Sequence, residues 1–95
     1  MKILIVEDNP KLRENISRFL KLSGFTSETA SNWLNALEKM NWNDYDIVVL
    51  DINMPFLNGK EFTKKLRASW KDIPIIALTS NSSHSKNFQN IVLSL

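Results

Sequence analysis

Two short apolar runs, Ile3-Leu4-Ile5-Val6 and Ile47-Val48-Val49-Leu50, each stop at carboxylates: Glu7 and Asp8 after the first, Asp51 after the second. Runs this short, rich in β-branched residues and apolar at every position, read as strands buried on both faces, as in parallel sheets. Parallel strands finish at the same edge of their sheet, so the three carboxylates would converge there. Like charges held close repel and raise one another's pKa. A hard cation relieves the repulsion, and oxygen ligands from one or two carboxylates are what Mg²⁺ prefers. The two runs therefore constrain both the architecture and the chemistry of one edge.

The intervening segments fit that architecture. Asp8-Asn9-Pro10 reads as a helix start, a capping side chain followed by proline in the first turn. Leu12, Ile16, Phe19 and Leu20 then share one helical face, and Gly24 closes the helix. Residues 25–30 read as a second strand. Ser31 is the expected cap of a second helix that turns Trp33, Leu34, Leu37 and Met40 inward. Residues 41–44 form a polar turn, and 46–50 a third, central strand.

The segment 51–58, with Pro55, is a loop. A third helix from Gly59 carries Phe62, Leu66 and Trp70, and residues 73–78 form a fourth strand with Pro74 near its start. After a polar loop over 80–85, Phe88, Ile91, Val92 and Leu95 stand at i, i+3, i+4 and i+7, which predicts a last amphipathic helix. The order β-α-β-α-β-α-β-α implies an α/β fold with a parallel sheet and right-handed crossovers. With 95 residues, no repeat and no linker, residues 1–95 read as one domain.

Composition narrows the partners. The net charge of +2 is spread along the chain without a basic block, so direct nucleic-acid contact has no electrostatic footprint. There is no cysteine, hence no disulfide framework and no thiolate metal site. The N-terminal apolar run is too short for a signal or membrane segment, and a cytoplasmic protein without membrane contact is the default reading.

Ligands of an open α/β sheet bind beyond the carboxyl ends of its strands. Glu7 and Asp8, Asp51, and Thr79 with Ser80 all fall there. Singly, each is ordinary. An aspartate after a strand is more often a turn residue than a nucleophile, and Glu-Asp before Asn-Pro serves a helix dipole as readily as a metal. Thr79-Ser80 is a plain loop start. His84 reads as solvated, and Trp33, Trp42 and Trp70 as core or surface aromatics. The joint placement gives the set its weight. A carboxylate beside Mg²⁺ can act as ligand or as nucleophile toward phosphorus. Thr79 and the backbone N–H groups of 53–58 could then donate to phosphoryl oxygens, and the metal would neutralise charge on them.

The residues Ile3-Leu4-Ile5-Val6-Glu7-Asp8-Asn9, Val48-Val49-Leu50-Asp51-Ile52-Asn53-Met54-Pro55 with Gly59, and Pro74-Ile75-Ile76-Ala77-Leu78-Thr79 closely resemble the receiver domain of two-component response regulators. The resemblance covers essentially the whole chain. It implies a flavodoxin-like doubly wound parallel sheet of order 2-1-3-4-5, of which this chain would hold 2-1-3-4. It implies that Asp51 accepts a phosphoryl group from the phosphohistidine of a sensor histidine kinase or a phosphotransfer protein. Asp8, Asp51 and the backbone carbonyl of Asn53 would ligate Mg²⁺, with Glu7 acting mostly through water. The Asn53 side chain would sit near the attacking water, Thr79 would be the switch hydroxyl, and Ser80 would flank the site.

The resemblance fails at the end. Family members continue with a fifth strand carrying a switch aromatic, a lysine in a Lys-Pro step, and a fifth helix. Lys86 stands in the wrong place to substitute for that lysine. A C-terminally truncated receiver without an output domain is the expectation. Mg²⁺ binding should survive. Phosphorylation should weaken by a charge-assisted bond, on the order of 1.5–3 kcal/mol, or roughly ten- to a hundredfold in rate. The fourth strand becomes an open edge that invites a homo-oligomer or a domain swap.

The leading reading is a phosphoacceptor module, not a turnover enzyme. Its alternative is a phosphorylation-deficient module for protein–protein interaction or self-association. An aspartyl-nucleophile phosphatase is disfavoured because Asn53, two residues after Asp51, cannot serve as the second acid.

Overall fold

The structure, a computed structural model, describes residues 1–51, 59–70, 72–78 and 91–94. The elements run β1 (Lys2–Val6), α1 (Pro10–Leu22), β2 (Thr26–Ala30), α2 (Trp33–Trp42), β3 (Ile47–Asp51), α3 (Gly59–Ser69), β4 (Ile75–Leu78) and β5 (Ile91–Ser94). The sheet order is β2-β1-β3-β4-β5, with β1, β2, β3 and β4 all parallel. The expected 2-1-3-4 parallel sheet of the flavodoxin-like fold is present. Among the described residues no helix is long and apolar enough to cross a membrane.

Period-two alternation within the strands builds two cores. Leu4, Val6, Val48, Leu50 and Ile75 face one way, onto Ala36 and Met40 of α2 and Phe62 and Leu66 of α3. Ile3, Ile5 and Val49 face the other way, onto Ile16 of α1. Layers of helix on both sides bury the central strands, which explains why β1 is apolar from Ile3 to Val6 and β3 from Ile47 to Leu50.

The first helix is built as its sequence predicts. Asn9 caps it, and Pro10 fills its first turn, where a missing N–H costs nothing. Its end is a glycine turn. Gly24 takes φ +89°, a region that disfavours side chains, and its N–H donates to the Lys21 carbonyl at 3.0 Å.

Three details of the helices differ from expectation. Asn32, not Ser31, caps α2, its side chain accepting from the Asn35 N–H at 2.7 Å. Leu34 is exposed, because the inward stripe runs through Trp33, Ala36, Leu37 and Met40 at i, i+3, i+4 and i+7, and Leu34 lies about 100° off it. Phe19 is half exposed rather than buried. It borders a cavity of about 210 Å³ on the α1 side of the sheet, lined by apolar side chains that include Ile3, Phe25, Val49 and Ile76.

The larger correction is at the chain's end. Residues 91–94, expected within an amphipathic helix, form β5, which runs antiparallel to β4 with Ala77 opposite Leu93. The expected open edge at β4, and the strand-edge association or domain swap argued from it, therefore lose their premise. A short apolar run cannot be assigned to helix or strand by periodicity alone. Ile91 and Val92 are β-branched, and β4 offers a row of N–H and C=O groups that a strand satisfies and a helix does not. The loops expected at 52–58 and 80–85 lie outside the described residues.

The fold makes a simple test of its core. Leu50, fully buried in central β3, should lose about 2–5 kcal/mol on truncation to alanine. Leu34→Ala should stay within about 0.5 kcal/mol as a surface change. Urea unfolding of the two variants measures both.

Candidate metal centre

Register brings the acids together. Ile5 pairs with Val49 and Val6 with Leu50, so one further step sets Glu7 beside Asp51, the last residue of β3. The Glu7 N–H extends the ladder on the other side, donating to the Ala30 carbonyl at 3.0 Å. Asp8 follows in the turn to α1. Carboxylate oxygens of Glu7, Asp8 and Asp51 lie within 4.8 Å of one another. The chain reverses its direction of strand addition between β1 and β3, so the trio stands at the switch point where such sheets bind ligands.

The turn that carries Glu7 and Asp8 is held from several sides. The Asn9 side-chain oxygen accepts from the N–H groups of Lys11 at 2.9 Å and Leu12 at 3.1 Å, satisfying donors that a helix start leaves open. The Asn9 N–H donates to Glu7 Oε2 at 3.1 Å. Arg13 Nη1 donates to the Glu7 carbonyl at 3.0 Å. Arg13 escaped the sequence reading. A signal was present, because side chains on a helix tilt toward its N-terminus, so an arginine in the first turn reaches back over the preceding loop.

Glu7 is 1% exposed and Asp51 6%, while Asp8 is the most open of the three. Burial raises the Glu7 pKa to about 9, with further upward contributions from the Asp51 and Asp8 side chains and a smaller opposing one from the Asn9 N–H. Ionised carboxylates only accept hydrogen bonds. Contact between Glu7 and its acidic neighbours therefore needs either a proton on Glu7 or a cation between them. Glu7 Oε1 is buried and has no hydrogen-bond donor. A buried polar atom without a partner costs about 1–3 kcal/mol, more when charged, and a hard divalent ion is the partner that this donor set suits. The residues present thus fit Mg²⁺. Of the other expected site residues, Asn53, Thr79 and Ser80 lie outside the described residues, as do His84 and Lys86.

Fold and trio together define a flavodoxin-like α/β domain with an acidic, metal-suited pocket at its switch edge. Residues 3–94 match the profile of the family described as response regulator receiver domain. Response regulator MprA of a Mycobacterium species (strain KMS) is 38% identical over 86 residues, which are 90% of this chain and 37% of that protein. The chemotaxis response regulator CheY4 of Vibrio cholerae superposes with a TM-score of 0.78 at 36% identity, covering 86% of this chain and 70% of that one. TrrA of Thermotoga maritima, solved in complex with Mg²⁺-BeF, gives a TM-score of 0.77 at 41% identity over 85% of this chain and 70% of that one. TrrA has also been solved in complex with the histidine kinase ThkA, where it matches at 38% identity and a TM-score of 0.76 over 94% of this chain and 76% of that one. The chain belongs to the response regulator receiver domain family of two-component signalling. It spans little more than a third of the length of MprA.

The raised Glu7 pKa has a pH signature. Its stabilising effect is complete below the unfolded value near 4.5 and is lost as pH rises toward about 9. The urea midpoint of the metal-free protein should fall across that window. Saturating Mg²⁺, which binds the ionised form, and Glu7→Gln, which removes the charge, should each flatten the fall. A flat profile in metal-free wild type would contradict the account.

Proposed function

We propose that residues 1–95 act as a phosphoacceptor module that takes a phosphoryl group from a sensor histidine kinase or phosphotransfer protein onto Asp51. The observation that carries the reading is the convergence of three carboxylates at the switch edge, with one buried oxygen lacking a donor. Glu7, Asp8, Asp51 and the Asn53 backbone carbonyl would hold Mg²⁺, Glu7 mostly through water. When bound, the ion supplies positive charge to phosphoryl oxygens as negative charge builds on them.

The remaining chemistry belongs to the chain. An Asp51 oxygen forms a bond to phosphorus as the phosphorus–nitrogen bond of the donor phosphohistidine breaks. The electron pair leaves with the imidazole, which takes up a proton. Asp51 must be ionised to attack, and its place at the end of a buried strand holds it against thermal wandering, so that positioning carries much of the catalysis. Thr79 would donate its hydroxyl to the phosphoryl oxygens and serve as the switch residue. Relatives support the partner class, since TrrA is known in complex with the histidine kinase ThkA. The module turns over no substrate beyond its own aspartate.

A partner- or self-associating module is the second reading. Its support is the exposure of Phe19 and Phe25, which line the apolar cavity, and of Leu22 on the same helix as Phe19. Intact-mass spectrometry separates the two. After incubation with a small-molecule phosphodonor and Mg²⁺, wild type should gain one phosphoryl mass, and Asp51→Asn should gain none. A folded, Mg²⁺-binding wild type that gains none would leave the second reading in the lead.

A further inference from the structure

We infer that Arg13 is a positioning residue of the acid pocket: by holding the Glu7 carbonyl, its guanidinium sets the Glu7–Asp8 peptide plane and so the approach of the Asp8 carboxylate to Glu7 and Asp51. The inference rests on the reading of the trio as a metal site.

The argument starts from the planar peptide. One rigid unit carries the Glu7 carbonyl and the Asp8 N–H, so fixing the carbonyl direction fixes where the Asp8 chain departs. The amino side of Glu7 is tied to β2 through the Ala30 carbonyl at 3.0 Å. The carbonyl side points out of the ladder, and Arg13 Nη1 meets it at 3.0 Å in a half-buried setting. A guanidinium is always charged and presents its donors in a stiff fork, which suits it to hold one direction.

The helix start does not require this bond. Asn9 already satisfies the N–H groups of Lys11 and Leu12, and Pro10 needs no donor partner. What Arg13 adds lies on the acid side of the turn. It also brings a positive charge within one hydrogen bond of the backbone that links two of the three acids. Arg18 is the natural contrast. It stands on the same helix and forms an exposed pair with Glu14 at 3.2 Å, an arrangement worth little.

Partners that orient metal ligands from behind typically matter about ten- to a hundredfold in affinity. The test is a Mn²⁺ titration followed by electron paramagnetic resonance, with Mn²⁺ as the oxygen-loving probe. Wild type, Arg13→Met, Arg13→Lys, Arg18→Met and Asp51→Asn are compared, together with urea midpoints and amide spectra of the metal-free proteins. Arg13→Met keeps an apolar stem and removes the donor. It should weaken Mn²⁺ binding about tenfold and move the Asp8 amide resonance before any metal is added, with a urea midpoint close to wild type. Arg13→Lys, which retains a donor, should recover most of the affinity. Arg18→Met loses the same charge and should stay within about twofold, as screening of a distant exposed charge implies.

Wild-type affinity in Arg13→Met would overturn the inference, and so would equal losses in Arg13→Met and Arg18→Met, which would make the effect one of net charge. If Arg13→Met does not fold, Arg13→Gln is read by the same criteria. A wild type that binds no Mn²⁺ would instead bring down the metal-site reading itself, and the inference with it.

Discussion

Mutual repulsion of three carboxylates is the constraint around which this domain is arranged. Glu7 and Asp51 present oxygens within 4.8 Å of each other at a buried strand edge. Two ionised groups at that distance repel by about 3.5 kcal/mol at an effective dielectric near ~20. Nothing in strand formation asks for that cost. Leucine or valine at either position would continue the apolar runs and stabilise the sheet. The acids survive in the apo protein because Glu7 holds its proton well above the usual carboxylate range, and a cation that replaces the proton turns the repulsion into binding energy.

The rest of the fold serves to hold that arrangement still. Strands β1 and β3 sit side by side at the middle of the sheet, covered on both faces, so their ends cannot drift. The Asn9 cap starts the first helix directly after the acids, and its N–H and the Arg13 guanidinium fasten Glu7 from two directions. Packing, capping and the charged site are thus one mechanical unit. Further along α1, the same face of the sheet, around Phe19 and Phe25, is less completely filled.

Much of this was legible in the chain because it is local. A β-branched run, a proline after a capping asparagine, and a glycine at a helix end each act within a few residues, and each element they predict is present. The acid trio was legible because parallel strands must share an edge. The register that sets Glu7 opposite Asp51 was not, since it follows from how β1 and β3 slide against each other. Arg13 was missed because its bond goes to a backbone carbonyl, and only its place in the first turn of α1, from which a side chain leans back over the preceding loop, pointed there. The end of the chain misled for a physical reason. Ile91, Val92 and Leu95 satisfy helical spacing, but residues 91–94 meet the edge of β4, and tertiary pairing overrides periodicity in so short a segment. Leu34 and Phe19 show the milder form, where a hydrophobic residue near a stripe is not part of it.

The claim that the trio is a metal-assisted phosphoacceptor site is tested most directly by a crystal structure of the chain grown with Mg²⁺ and beryllofluoride. The account predicts one ion ligated by Asp8 and Asp51 carboxylates, with Glu7 beside it directly or through water, and beryllofluoride attached to an Asp51 oxygen. An empty trio in well-ordered crystals, with Glu7 still holding its acidic neighbours through a shared proton, would contradict it.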